Sequence, residues 1–160
     1  MESKLLVNRV YEELLNAIIQ GRFRPGEALR EDRIASMLGA SRTPVREALA
    51  RLEKEGFVAK DGRSYVVTSI TKDDVIQLYE ERIPLEAMAA KLAAVRATED
   101  QLVKMGNAID MIKAEIMQPN PNPVKLAELN GKFHDLVAEA SGNKYIAATL
   151  RQIRLKLKIV

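Results

Sequence analysis

Apolar residues recur at Leu6, Val10, Leu14 and Ile18, with Tyr11 and Leu15 beside them. That spacing draws one buried stripe along a helix over about residues 4–20. Gly21 stops it, and Phe23-Arg24-Pro25-Gly26 reads as a turn. A second, short helix is predicted from Glu31 to Leu38, with Ile34, Ala35 and Leu38 inward and Gly39 as its stop. A third begins at Ser41-Arg42-Thr43-Pro44, where Thr43 suits the N-cap and Pro44 the first helical position. Val45, Ala48, Leu49 and Leu52 give it an apolar face before Gly56. Phe57-Val58-Ala59-Lys60 and Tyr65-Val66-Val67-Thr68 are strand-like runs, and the Asp-Gly between them signals a hairpin. Two helices, a short turn, a third helix and a hairpin make a winged helix-turn-helix.

From Thr71-Lys72-Asp73-Asp74 onward the pattern is helical throughout, which sets a boundary near residue 70. Helices are expected over about 75–97, with a kink at Pro84, then over 99–117, 124–140 and from Lys144 to the end. Pro119-Asn120-Pro121-Asn122-Pro123 and Ser141-Gly142-Asn143 separate them. The fold class is therefore mainly α. A winged helix-turn-helix domain covers 1–70, and an all-α antiparallel bundle, incomplete at its C-terminus, covers 71–160.

Composition narrows the chemistry. Aromatics are 4% of the 160 residues, there is no Cys, and His134 is the single histidine. A disulfide scaffold, a thiolate nucleophile and a Cys-ligated metal are excluded, and a reducing cytoplasm is the expected location. No signal-peptide pattern precedes the first helix, and no apolar run reaches the roughly 20 residues of a membrane span. No nucleophile–base pair and no Gly-rich phosphate loop is present, so the pattern is not that of an enzyme. The net charge is only +3, so any affinity for nucleic acid has to come from local placement of charge.

That placement is found on the third helix. In a helix-turn-helix the N-terminal part of this helix enters the major groove. Arg42, Thr43 and Arg46 lie at or near that end, away from the apolar face, and Arg suits the O6 and N7 of guanine as well as phosphate. Arg33, at the start of the preceding helix, reaches the backbone or a base edge. Gly62 and Arg63 at the hairpin tip reach the adjacent minor groove. A solvated face shared with Glu47, Glu53 and Glu55 explains one arginine well and all four poorly.

Pro25-Gly26-Glu27-Ala28-Leu29, Glu31-Asp32-Arg33-Ile34-Ala35, Leu38-Gly39 and Ser41-Arg42-Thr43-Pro44-Val45-Arg46-Glu47-Ala48-Leu49 together resemble the GntR family of transcriptional regulators, over about residues 8–68. The resemblance implies that Arg33, Arg42, Thr43 and Arg46 contact double-stranded operator DNA, with Gly62 at the wing; acidic Asp61 is given no such role. Asp74-Val75, Leu78-Tyr79, Arg82, Leu85-Glu86 and Ala89-Ala90, with Asn130-Gly131-Lys132-Phe133-His134 and Ser141-Gly142-Asn143, resemble the helical effector domain of the FadR-type (FCD) subfamily. That resemblance implies a small carboxylate effector and a divalent metal (Zn, Ni or Mn). The metal is held by an acidic residue and a His four apart on one helix, with two further histidines downstream.

Here Asn130 and His134 take the paired positions, and Arg82 lies in the opening motif. Leu126, Asn130, Phe133, His134 and Val137 share one helical arc, so amide and imidazole are expected to face the apolar interior. A neutral amide is a weak metal ligand, and a His134 hydrogen-bonded to Asn130 or to water is the structural alternative. The chain closes at Val160 within a helical run, before the later helices that the resemblance implies. Ile153, Leu155, Leu157, Ile159 and Val160 are therefore expected to be exposed, or covered by a second copy in a homodimer. The function expected is a sequence-specific transcriptional regulator, a repressor released by its effector. A winged-helix protein-interaction module, or a truncated regulator that binds DNA without sensing, are the alternatives.

Overall fold

The computed structural model describes residues 2–159; Val160 lies outside the described residues. Helix α1 (Glu2–Ile19) buries Val10, Tyr11, Leu14, Leu15, Ala17 and Ile18. Its stripe packs on helix α3 (Arg42–Lys54), which returns Val45, Ala48, Leu49 and Leu52 with no exposure at all. Helix α2 (Glu31–Leu38) adds Ile34 and Ala35, and Gly39 closes it at φ 57, a left-handed conformation suited to glycine. Phe23, Leu29, Phe57, Val58, Tyr65 and Val67 complete this core. Polar contacts tie the same two helices. The Tyr11 hydroxyl donates to Glu55, the Arg51 guanidinium lies 3.7 Å from the Tyr11 ring centre, and Arg51 donates to Asn8 at 3.3 Å.

The hairpin pairs β2 (Val58–Asp61) with β3 (Ser64–Val67), in the register Val58 with Val67 and Asp61 with Ser64. Gly62 and Arg63 form the two-residue turn, with positive φ confined to Gly62, as in a turn whose first central residue is glycine. A two-residue strand, β1 (Ala28–Leu29), pairs with the other edge of β3, giving the order β1-β3-β2. The hydrophobic pattern did not reveal β1, because two residues carry no alternation. Nor is Thr43 the N-cap of α3. Ser41 holds that position, makes no side-chain cap bond, and leaves Pro44 at the third helical position.

Four helices follow: α4 (Lys72–Arg96), α5 (Glu99–Ile116), α6 (Pro123–Ala140) and α7 (Lys144–Leu157). Helix α4 starts on a reciprocal bond between the Thr71 and Asp74 side chains and backbone. It runs as one helix with Pro84 inside it. Pro84 is exposed, so water can satisfy the carbonyl its ring deprives of a partner. Thr98 and Gln101 form a capping box on α5, and Asn122 caps α6 so that Pro123 becomes the first helical residue. Ser141 is fully buried and donates to the Ala138 carbonyl, while Asn143 caps α7. The motif Ser141-Gly142-Asn143 is thus a helix–helix joint.

Two units divide the chain: one reaches to Val75 and includes the residues from Leu155 on, the other spans Ile76–Arg154. The C-terminal apolar residues are not an exposed stripe. Ile153 is buried, and Leu155 and Ile159 pack against the winged-helix core. The exposed large apolar side chains of the helical unit are instead Ile76, Ile83, Val95, Leu102 and Val103, among others. No helix among the described residues is long and apolar enough to cross a membrane.

Two measurements test these joints. Tyr11→Phe removes a partly buried hydrogen bond to a carboxylate and is expected to cost about 1.5–3 kcal/mol in urea unfolding. Glu115, buried at the α5–α6 connection, accepts from Lys125 at 2.6 Å and from the Asn122 backbone at 2.9 Å. The Lys125 bond, then the Asn122 bond, hold its carboxyl below the ordinary carboxylate range. A depressed folded-state pKa stabilises fully above the ordinary value and less as pH falls through the depressed one. Glu115→Gln should therefore lower the melting temperature at neutral pH, with the difference from wild type vanishing on acidification.

Candidate functional site

The packing of α3 determines what its other face can do. With Pro44, Val45, Ala48 and Leu49 inward, Arg42, Thr43, Arg46 and Glu47 are exposed. The first turn of α3 carries no acidic residue, and no side chain caps it. The backbone N–H groups of Arg42 and Thr43 therefore stand at an open, positively polarised helix end. Arg42 and Arg46 line one concavity with Arg63 and Ser64 of the hairpin and Arg30, Glu31 and Asp32 of the α2 entry. The sheet makes this possible, because β1 pairing with β3 seats the hairpin beside the start of α2. Gly62 and Arg63 stand exposed at the hairpin tip.

Arg33 is exposed too, and a carboxylate of Glu27 lies 3.6 Å from it. It does not line the concavity, so Arg42, Arg46 and Arg63 are brought together there, with Arg33 on a neighbouring turn. Arg46 makes a two-point contact with Glu31, Nε to Oε1 at 3.0 Å and Nη2 to Oε2 at 2.8 Å. Among the described residues Arg42 and Arg63 have no ion-pair partner. The Arg46 hydrogen bond holds the Glu31 carboxyl below its ordinary range. Sequence reasoning did not single out Glu31: it lies 15 residues from Arg46, and no local spacing joins them.

In the helical unit the sequence-derived pair separates. Asn130 is exposed, and the expectation that its amide faces the apolar interior is corrected: the buried residue on that turn of α6 is Leu129. His134 is half-buried and pairs with neither Asn130 nor Asp135; its Nδ1 lies 3.3 Å from Glu86 Oε1 on α4. Arg82, one turn before Glu86, reaches the same carboxylate at 2.8 Å. Glu86 thus sits between a guanidinium and an imidazole. The i,i+4 spacing of Arg82 and Glu86 was the available signal for it.

A divalent metal does not fit the donors supplied here. Among the described residues no three His, Cys, Asp or Glu side chains converge, and the Glu86 oxygen facing His134 is already held by Arg82. On this ground Zn2+ added to the chain should give no one-to-one calorimetric isotherm that His134→Ala removes. An isotherm of that kind would reinstate His134 as a ligand.

Comparison with known proteins gives this geometry a context. Residues 6–67 match the family model of bacterial regulatory proteins, gntR family, and residues 77–160 match the FCD domain. The chain is 34% identical over 144 residues to the HTH-type transcriptional regulator YdhC of Bacillus subtilis (strain 168), covering 89% of this chain and 64% of that protein. It is 31% identical over 137 residues to the Nta operon transcriptional regulator of Aminobacter aminovorans, covering 85% and 64%. Among solved structures, a GntR transcriptional regulator from Rhodococcus sp. RHA1 superposes with a TM-score of 0.70 at 26% identity, covering 96% of this chain and 72% of that one. E. coli McbR/YncC shares the fold with a TM-score of 0.77 at 23% identity over the same shares. The chain spans just under two thirds of the length of these curated relatives.

Proposed function

The chain belongs to the GntR family of bacterial regulatory proteins and carries that family's FCD domain, and from this premise we propose that it is a homodimeric, sequence-specific operator-binding repressor released by a small carboxylate. The observation that supports this best is the concavity where Arg42, Arg46 and Arg63 meet at an uncapped helix start with no acidic residue in its first turn. Arg46 reads a guanine, because it lies one turn into the helix and its guanidinium matches guanine O6 and N7. Arg42, Thr43 and the free N–H groups beside them hold phosphate. Arg33 contacts the backbone, and Gly62 with Arg63 enters the minor groove, where a side chain at position 62 would obstruct approach. A dimer places two such helices on the halves of a pseudo-palindrome.

The carboxylate part of the proposal rests on Arg82. Its guanidinium is mostly buried and uses Nε and Nη2 on Glu86, so further N–H groups are open to an acidic ligand. Effector binding favours a dimer state whose two DNA-binding heads do not match the operator spacing. No metal takes part in this scheme.

Selection of bound duplexes from a random pool supplies the operator and decides the first part: enrichment of no sequence would end it. On the selected duplex at fixed salt, Arg46→Ala should weaken binding on the order of 10- to 100-fold, with little change on a scrambled duplex. Arg63→Ala should weaken both and lower the slope of log affinity against log salt by about 1. A panel of small mono-, di- and hydroxycarboxylates then tests release, with Arg82→Ala expected to abolish the response while leaving operator affinity intact.

A further inference from the structure

The arginines in the concavity differ in how they are held, and Arg30 pairs only with Asp32, two residues along its own segment, at 3.1 Å. Arg42 and Arg63 have no ion-pair partner among the described residues, as suits side chains that meet a phosphate or the minor groove at variable positions. Arg46 instead is fixed by Glu31, from another helix, at 3.0 and 2.8 Å on two parallel bonds. Two-thirds of the Arg46 side chain remains exposed. An exposed pair of this kind contributes about 0–1 kcal/mol to folding, so stability gives little reason for it. Its geometry gives a better one. A guanidinium has five N–H groups, and Glu31 takes only those on the Nε–Nη2 edge. The Nη1–Nη2 end, the one that matches guanine O6 and N7, is left free. A long side chain that is already immobilised loses less rotamer freedom when it meets a base.

We propose that Glu31 is a positioning residue for base recognition, gripping one edge of Arg46 so that the other edge is presented to a guanine and not to phosphate. This rests on the reading of Arg46 as a base-contacting residue. The carboxylate acts in two ways. It restricts the guanidinium to one orientation, and its negative charge makes displacement of Arg46 toward a phosphate unfavourable. Glu31 thereby raises the ratio of specific to non-specific binding more than it raises affinity. Half-buried at the first turn of α2, with both carboxylate oxygens on Arg46, it acts through that side chain.

The test uses the full chain and a duplex recovered from a random pool, measured by fluorescence anisotropy at fixed salt. Replacing each guanine in turn by 7-deazaguanine removes its N7 acceptor. The position where wild type loses affinity and Arg46→Ala does not is the guanine that Arg46 reads. At that position Glu31→Ala should cut discrimination against other base pairs from about 10-fold to about 3-fold or less, while scrambled duplex is bound equally or more tightly. Glu31→Gln keeps one acceptor and should restore part of the discrimination. An unchanged melting temperature of the Glu31→Gln protein excludes a folding explanation.

If Arg46→Ala loses discrimination and Glu31→Ala retains it in full, the positioning role is overturned and the reading of Arg46 survives. An equal tightening of selected and scrambled duplexes by Glu31→Ala, with discrimination kept, also overturns it, leaving Glu31 as plain counter-charge. If no guanine responds differently in Arg46→Ala, both the role and the reading beneath it fall.

Discussion

Everything at the proposed interface depends on the seam between α1 and α3. Val10, Leu14 and Ile18 on one side and Val45, Ala48, Leu49 and Leu52 on the other are sealed from solvent. A helix has only one angular setting that buries four residues spaced i, i+3, i+4 and i+7. Once that setting is fixed, Arg42, Thr43 and Arg46 have nowhere to point but outward. The seam is reinforced by a polar clasp at its far end, where Tyr11, Arg51 and Glu55 meet. Because dense packing resists continuous deformation, the backbone that carries the exposed face is held by the buried one.

This is also why so much of the first unit was legible in the sequence. The stripe of α1 and the face of α3 follow directly from the 3.6-residue period, and the Asp-Gly signal placed the hairpin, although its turn is Gly62-Arg63. What escaped were features set by geometry at longer range. Strand β1 is two residues long and exists because β3 offers it an edge. The N-cap shifted from Thr43 to Ser41 because Pro44 tolerates the third helical position, where its missing N–H would be unsatisfied in any case. The Glu31–Arg46 contact joins two helices across a turn, and no spacing rule covers such a pair.

The helical unit was less legible for a different reason. Its boundaries are read from the Pro-Asn and Ser-Gly-Asn breaks, and the structure adds the side-chain caps: Thr98, Asn122 and Asn143 each accept backbone N–H groups at a helix start. Which polar side chains converge depends on helix packing, which a single helix does not encode. Asn130 and His134 sit on one helix at a spacing that permits a shared ligand, yet His134 turns to Glu86 on another helix and Asn130 is left in water. A half-buried imidazole takes the acceptor nearest to it, and Arg82 already holds Glu86 there.

Net charge sets the last constraint. At +3 over 160 residues this chain has almost no bulk attraction for a polyanion, so discrimination cannot rest on long-range field. In the proposed scheme the carboxylate of Glu31 keeps the Arg46 guanidinium from indiscriminate phosphate binding. Arg42 and Arg63, without such partners, retain it. On the proposed reading, dividing the arginines in this way lets a nearly neutral protein have modest affinity for any duplex while a correctly placed guanine adds a distinct increment. A more basic chain would bind faster and everywhere; pairing trades that gain for selectivity among sites.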